Sequence, residues 1–135
     1  MNALKSGGAI HTKEKIIASM ADQYILLVDE SKVFEKLPFH KSVTLEVIPE
    51  AKSYVTKQIE MLNGTVLMRR SNAKDGYTIS DHGNFIMEAK FEEVENIEKL
   101  SNDLNHIVGI VDTSLFVKIA TSVISVDDGH VRVIK

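Results

Sequence analysis

The first pattern along the chain is a short amphipathic stretch followed by an uninterrupted apolar run. Thr12 is a typical helix N-cap residue, so we expect a helix over residues 13–21. Its predicted apolar face consists of Ile16, Ile17, Met20 and Ala21. The apolar run 24–28 then predicts a strand buried on both faces, ending at Asp29.

A second pattern begins at residue 42. The β-branched alternation over 42–48 predicts a strand, and Pro49 suits the first turn of a following helix. Helical spacing predicts that this helix runs to residue 62 and that Gly64 closes it. The apolar residues of its face are Ala51, Val55, Ile59 and Leu62. We expect a strand over 65–70 after it.

A second strand-helix-strand pattern follows, after a short extended segment. Residues 77–80 are predicted to be extended, and the turn 81–84 leads into a strand over 85–89. A helix over 92–105 and a strand over 107–111 follow. The helix is predicted from Val94, Ile97, Leu100 and Leu104, with Glu92, Glu93 and Glu95 near its N-terminus. If the short segment 77–80 is set aside as an extra, the order from 43 to 111 is β-α-β-β-α-β, typical of a ferredoxin-like unit.

The chain ends in a predicted hairpin. Residues 114–117 and 122–126 are expected to be extended, and the turn 127–129 leads into a strand over 131–134. The pattern therefore predicts an α/β protein in which a small domain, residues 42–111, is inserted between two flanks, 1–41 and 112–135.

Composition narrows the class of protein. With 135 residues and 44% hydrophobic side chains, the chain can bury a core. The 16 basic and 19 acidic side chains give a net charge of −3, so the composition lacks the excess of basic residues that is typical of nucleic-acid-binding proteins. The sequence has no cysteine, no apolar run of transmembrane length and no signal peptide pattern. We therefore expect a cytoplasmic protein with neither nucleic-acid nor membrane partners.

Two lysines flank the first helix and strand. Lys5 precedes Gly7 and Gly8, whose backbone can approach an anion closely, and Lys32 follows the buried strand. Ligands of open α/β sheets bind beyond the carboxyl ends of strands, so both lysines are predicted to face one crevice.

Other candidate residues have simpler interpretations. Lys13 and Lys15 are expected on the solvated helix face, and Tyr24, Tyr54 and Phe116 in the core. The histidines lack metal-ligand spacing and are expected at the surface or in turns: His11, His40, His82, His106 and His130.

Several motifs in order carry a family resemblance. KSGGAIHTKEKI followed by VDESK resembles the KGGGA…T-[RK]-E-K…D-x-S-K signature of ribose-5-phosphate isomerase, type A. The likeness continues through EVIPEAKSYVTKQIEMLNG, DHGN, DTSLF and DDGHVRVIK. It spans essentially the whole chain but corresponds to the C-terminal part of the family. It implies that the two flanks form part of a Rossmann-like sheet, and that the protein is an aldose–ketose isomerase of the pentose phosphate pathway working without metal or redox cofactor.

The resemblance also implies roles for particular residues. Glu14 matches the family's general base, Lys5 the lysine that supports enediolate charge, and Lys32 the lysine near the substrate phosphate. The sugar-phosphate site would further include the turn residues Ser6, Gly7 and Gly8. Ser6 and Ser114 stand where the family has glycine.

Two functional hypotheses follow. The first is isomerisation of ribose 5-phosphate and ribulose 5-phosphate. The second is a truncated, non-catalytic relative that acts as a sugar-phosphate-binding or assembly module, because the family's acidic D-G-A-D-E motif and Thr/Ser-rich phosphate loop do not occur in this sequence. The apolar strands of the flanks have only one predicted helix to cover them. We therefore expect a homo-oligomer, or a complex with a separate N-terminal half, joined through residues 1–32 and 112–135.

Overall fold

The computed structural model describes residues 1–135 and has a mixed α/β fold, as the sequence predicts. Its helices are α1 (His11–Met20), α2 (Lys52–Met61) and α3 (Ile97–Asn105). Its strands are β1 (Asn2–Leu4), β2 (Ile25–Asp29), β3 (Val43–Val47), β4 (Gly64–Met68), β5 (Phe85–Phe91), β6 (Ile110–Thr113), β7 (Leu115–Val117), β8 (Ser122–Asp127) and β9 (His130–Ile134). Single 3-10 turns lie at Glu30–Lys32 and Pro49–Ala51.

The largest sheet has four antiparallel strands in the order β4-β5-β3-β6. From β3 to β6 the elements follow the predicted order, strand, helix, two strands, helix, strand. One face of this sheet packs against α2 and α3 through a single apolar cluster. The cluster contains Val43, Leu45, Val47, Val55, Ile59, Met87, Ala89, Phe91, Leu100, Leu104, Ile107 and Leu115.

Three predicted boundaries in this region need correction. Asn63, with φ of 60°, takes the left-handed position that ends α2, and Gly64 instead begins β4. Gly64 is required by packing, because a Cβ there would lie 2.7 Å from the Phe91 ring and 2.8 Å from Ile59. Helix α3 begins at Ile97, later than predicted, because the Asn96 side chain accepts a hydrogen bond from the Lys99 amide at 2.9 Å.

Because α3 begins at Ile97, the acidic residues Glu92, Glu93 and Glu95 lie before the helix. Glu98 is the only acidic residue in its first turn. The last strand of this sheet also starts later than predicted, at Ile110. Gly109 precedes it with φ of 100°, a conformation that interrupts an extended strand.

The flanks form two smaller sheets. Strand β2 pairs in parallel with β8, which pairs antiparallel with β9, and β1 pairs antiparallel with β7. The predicted turn before β9 is confirmed, since Asp128 and Gly129 both have positive φ. Burial of β2 on both faces is not observed. Its residues alternate in exposure, and Leu27 is 76% exposed.

Helix α1 differs most from its prediction. It begins at His11 after Ile10, with no side-chain cap, and Thr12 lies within the first turn. The Thr12 hydroxyl donates to Glu46 of β3, which explains why it does not cap the helix. The expected apolar face is exposed at Ile16, Ile17 and Met20, while the buried residues of α1 are His11 and Ala18.

None of the helices is long and apolar enough to cross a bilayer.

Candidate active site

The glycine turn between β1 and α1 is closed by its own hydrogen bonds. Ser6 and Ala9 have φ of 73° and 59°, so both occupy the left-handed region. The Ser6 carbonyl accepts from the Ala9 amide at 3.0 Å, and the Ser6 hydroxyl oxygen accepts from the Ile10 amide at 3.2 Å. Ser6 therefore adopts a conformation that favours glycine, and its hydroxyl supplies a compensating contact.

Gly7 and Gly8 lie at the exposed tip of this turn. A Cβ at either position would have no neighbour within 4 Å, so packing does not require glycine there. The Arg69 guanidinium donates to the Gly7 carbonyl and lies 3.5 Å from the Glu88 carboxylate. The turn is thus attached to the four-stranded sheet while Gly7 and Gly8 remain exposed.

The turn places Lys5 beside Glu14. The Lys5 ammonium donates to a Glu14 carboxylate oxygen at 2.6 Å, and the two side chains are 24% and 30% exposed. The same ammonium lies 4.8 Å from the ring centroid of buried Phe116, which favours a cation over that ring. Glu14 is in the first turn of α1, where the helix dipole favours an anion. A carboxylate and an ammonium group therefore meet at a partly accessible helix N-terminus.

Lys32 ends the 3-10 turn that follows β2. Asp29 begins this turn, accepting from the Ser31 amide at 2.9 Å and from the Ser31 hydroxyl at 2.5 Å. Lys5 and Lys32 both line one cavity of about 670 Å³, whose other walls include β1, β2 and Phe34. Most of the residues lining this cavity are hydrophobic, and Glu14 is not among them.

Two further side chains of α1 are held by β6. The buried His11 ring donates from Nε2 to the Asp112 carbonyl at 3.2 Å. Lys15 donates to the Asp112 carboxylate at 2.7 Å and to the Thr113 carbonyl at 2.5 Å. Burial lowers the pKa of His11 and of Lys15, and the neighbouring Asp112 opposes both shifts. The predictions that His11 lies at the surface and Lys15 in solvent are wrong, because both side chains bind β6, the edge strand of the four-stranded sheet.

Glu46 is a buried carboxylate on the face of the four-stranded sheet that is opposite the apolar cluster. Its side chain is 2% exposed. It accepts from the Ser80 hydroxyl at 2.7 Å, the Asn84 amide at 2.9 Å, the His82 ring at 3.2 Å and the Thr12 hydroxyl. Burial alone raises the pKa of Glu46, but these four hydrogen bonds together lower it from 4.5 to about 2. The group is therefore a carboxylate at neutral pH.

Most of the remaining sequence expectations can be placed. Lys13 is exposed and pairs with Asp81 at 2.6 Å, as expected for a solvated face. Phe116 is fully buried and stacks with Tyr24 at 6.1 Å, whereas Tyr54 is half exposed and lies outside the core. His40, His82, His106 and His130 are exposed, as predicted. No group of three or more His, Asp or Glu side chains is arranged to hold a metal ion.

Sequence reasoning missed the contribution of Glu46. Alternation within 43–47 places Thr44 and Glu46 opposite the apolar residues, which is typical of a solvent-facing strand surface. In the structure all five residues of β3 are buried, because the turn 81–84 and helix α1 cover that second face. The sequence did contain a glutamate in the middle of a predicted strand, and hydroxyl and amide residues in the turn that the fold brings next to it.

Comparison with known proteins identifies the family. The sequence model of the family ribose 5-phosphate isomerase A (phosphoriboisomerase A) matches residues 1–129. The chain is 37% identical over 134 residues to ribose-5-phosphate isomerase A of Thermosynechococcus vestitus, covering 98% of this chain and 57% of that protein. It is 42% identical over 120 residues to the Thermococcus kodakarensis protein, covering 89% and 52%.

Solved structures agree with the sequence relatives. The ribose 5-phosphate isomerase A of Methanocaldococcus jannaschii superposes with a TM-score of 0.92 at 31% identity, covering 99% of this chain and 59% of that one. A D-ribose-5-phosphate isomerase in complex with phospho-erythronic acid gives a TM-score of 0.92 at 35% identity, covering 99% and 58%. The chain thus spans somewhat more than half the length of these relatives. It belongs to the ribose 5-phosphate isomerase A family.

Proposed function

We propose that this chain contributes the base of an aldose–ketose isomerase that interconverts ribose 5-phosphate and ribulose 5-phosphate. The observation that carries the proposal is the contact of 2.6 Å between Lys5 and Glu14 at an accessible helix N-terminus. Both residues occupy their expected places in the family signature. The isomerase names of the relatives do not favour the non-catalytic hypothesis.

The proposed chemistry needs one base and a nearby cation. The Glu14 carboxylate takes the proton from C2 of the open-chain aldose, while the C1 carbonyl oxygen gains a proton to give the enediol. Loss of the proton from the C2 hydroxyl and return of a proton to C1 then form the ketose. The Lys5 ammonium stabilises negative charge as it develops on the enediol oxygens.

Binding of the phosphorylated substrate is assigned to the cavity that Lys5 shares with Lys32. Lys32 supplies a positive charge for the phosphate, and Ser6 holds the turn in which the exposed backbone of Gly7 and Gly8 can approach the sugar. A sugar phosphate is also consistent with the phospho-erythronic acid bound to one of the solved relatives.

The domain and partner assignments are proposals too. We infer that residues 42–111 form a ferredoxin-like unit and that 1–41 with 112–135 belong to a Rossmann-like sheet. The cavity is lined by β1 and β2, and each of these strands is paired along one edge alone. A second copy of the chain, or a separate N-terminal half, would pair with these free edges and cover the apolar wall.

The base assignment is tested by Glu14→Gln, made in a preparation of the protein that turns over ribose 5-phosphate. The substitution preserves size and removes the base, so kcat should fall by about 10²–10⁴ while sugar-phosphate binding is retained. Coupled turnover assays and calorimetry with ribose 5-phosphate measure the two properties. Glu50→Gln, at an exposed glutamate before α2, is the matched control and should retain wild-type turnover. Unchanged turnover in Glu14→Gln would end the assignment.

A further inference from the structure

The four-stranded sheet has a polar face that is covered by the segment carrying Glu14. Thr44, Glu46 and Glu88 lie on this face, opposite the apolar cluster. The Thr44 hydroxyl donates to Glu88 at 3.1 Å, and Glu88 lies beside the Arg69 guanidinium that binds the Gly7 carbonyl. The sheet therefore contacts both the glycine turn and the first turn of α1 through polar groups.

Glu46 connects three parts of the chain at one buried carboxylate. One of its oxygens accepts from Ser80, His82 and Asn84 in the turn before β5, and the other accepts from Thr12 in α1. Each donor lies at least 34 positions away in sequence. A buried carboxylate without donors is costly, so this arrangement holds the turn and the helix in one relative position.

The contact between Thr12 and Glu46 determines which side of α1 faces outward. Residues two positions apart on a helix are separated by about 200° around its axis. Thr12 and Glu14 therefore project from nearly opposite sides, with Thr12 towards the sheet and Glu14 towards Lys5. Contacts of His11 and Lys15 with β6 support the same orientation. The apolar residues Ile16 and Ile17 are exposed and supply little packing to fix it.

We propose that Glu46 is a positioning residue for the isomerase reaction. Through Thr12 it fixes the rotation and depth of the first turn of α1, and so holds the Glu14 carboxylate in reach of the substrate carbons. This inference rests on the proposed role of Glu14 as base. It adds to the machinery a residue of the four-stranded sheet, on the face that α1 covers, and this residue does not itself touch the substrate.

Thr12→Val tests the proposal with little change in shape. Valine is close in size to threonine and lacks the hydroxyl that donates to Glu46. In the same active preparation, we expect Thr12→Val to lower kcat at least tenfold with KM for ribose 5-phosphate within twofold of wild type. A misplaced base affects the chemical step more than binding. Thr12→Ser restores the hydroxyl and should recover kcat to within twofold.

Two controls separate positioning from loss of folded protein. Lys13→Met removes the exposed ion pair with Asp81 from the same helical turn and should leave kcat and KM unchanged. Circular dichroism and thermal unfolding of each variant give the folded fraction used to normalise kcat. A loss of kcat in Thr12→Val that disappears on this normalisation, or that Thr12→Ser fails to restore, would overturn the positioning role.

The test also distinguishes this inference from the function on which it rests. Normal turnover by Thr12→Val beside an inactive Glu14→Gln overturns the positioning role and leaves the base assignment in place. Normal turnover by Glu14→Gln overturns both. A selective, serine-rescued loss of kcat in Thr12→Val together with an inactive Glu14→Gln supports both.

Discussion

The four-stranded sheet and the three-stranded sheet β2-β8-β9 are built from similar apolar sequences but bury them differently. All five residues of β3 are buried, since α2 and α3 cover one face and α1 with the turn 81–84 covers the other. In the three-stranded sheet, Leu27, Val131 and Val133 are exposed. Apolar alternation therefore indicates which residues form a strand, while burial depends on the neighbours available to that strand.

The helices show a related difference. Helices α2 and α3 pack through apolar residues such as Ile59 and Leu104, both fully buried. Helix α1 instead contacts the sheet through Thr12, His11 and Lys15, and exposes Ile17. Apolar packing gives stability, whereas directional hydrogen bonds give a defined orientation. A helix that presents a catalytic base, the role proposed for Glu14 of α1, needs the second property.

The largest expected effect separates the two sheets by stability. Leu45→Ala removes a fully buried side chain from the cluster of the four-stranded sheet and should cost about 2–5 kcal/mol of unfolding free energy. In the monomeric chain, Leu27→Ala, at an exposed position of β2, should change it by less than about 0.5 kcal/mol. Urea unfolding of both variants under conditions where the chain is monomeric measures the contrast. Equal losses there would mean that the chain itself covers β2.

The next effect concerns the buried carboxylate and pH. Lowering the pKa of Glu46 from 4.5 to about 2 corresponds to roughly 3 kcal/mol of stability. Because the folded-state pKa is depressed, this contribution is fully present above pH 4.5 and is lost as the pH falls towards 2. The stability advantage of wild type over Glu46→Gln should therefore shrink over that range. Ser80→Ala removes one of the four donors to Glu46, so it should lose a smaller part of this pH-dependent stability. If the stability advantage of wild type over Glu46→Gln does not change with pH, Glu46 is not a hydrogen-bonded carboxylate of lowered pKa.

The smallest effect lies in the glycine turn. Ser6 has φ of 73°, so Ser6→Gly relieves strain of about 1 kcal/mol but loses the hydroxyl contact with the Ile10 amide. We expect its stability to lie within about 1 kcal/mol of wild type. Ser6→Ala keeps the strain and loses the contact, and should be the less stable variant by thermal unfolding. If Ser6→Ala equals Ser6→Gly, the left-handed conformation carries no cost.

The contrast between regions also explains what the sequence could predict. Within 42–111, periodicity reflects contacts made inside the segment, so the strands and helices there were predicted in the correct order. The start of α3 was misplaced because one side chain, Asn96, caps it. The capping role of Thr12 was wrong because its partner, Glu46, lies 34 residues away. No local pattern records such a pairing.

The candidate site shows the same limit. Lys5, Glu14 and Lys32 were found through the ordered motifs, and the structure brings Lys5 to Glu14 and places Lys5 and Lys32 on one cavity. Glu46 was missed because a glutamate in an alternating strand is typical of a solvent-facing position. Its burial follows from tertiary contacts alone.

Residue-resolved amide hydrogen exchange of the 135-residue chain tests whether the four-stranded sheet is the stable platform against which the glycine turn and α1 are held. We predict that amides of β3 and β5 are protected most, those of the first turn of α1 next, and those of β2 and β9 least. Greater protection of Ile25–Asp29 than of Val43–Val47 would contradict it, because the flanking sheet would then be the more stable region.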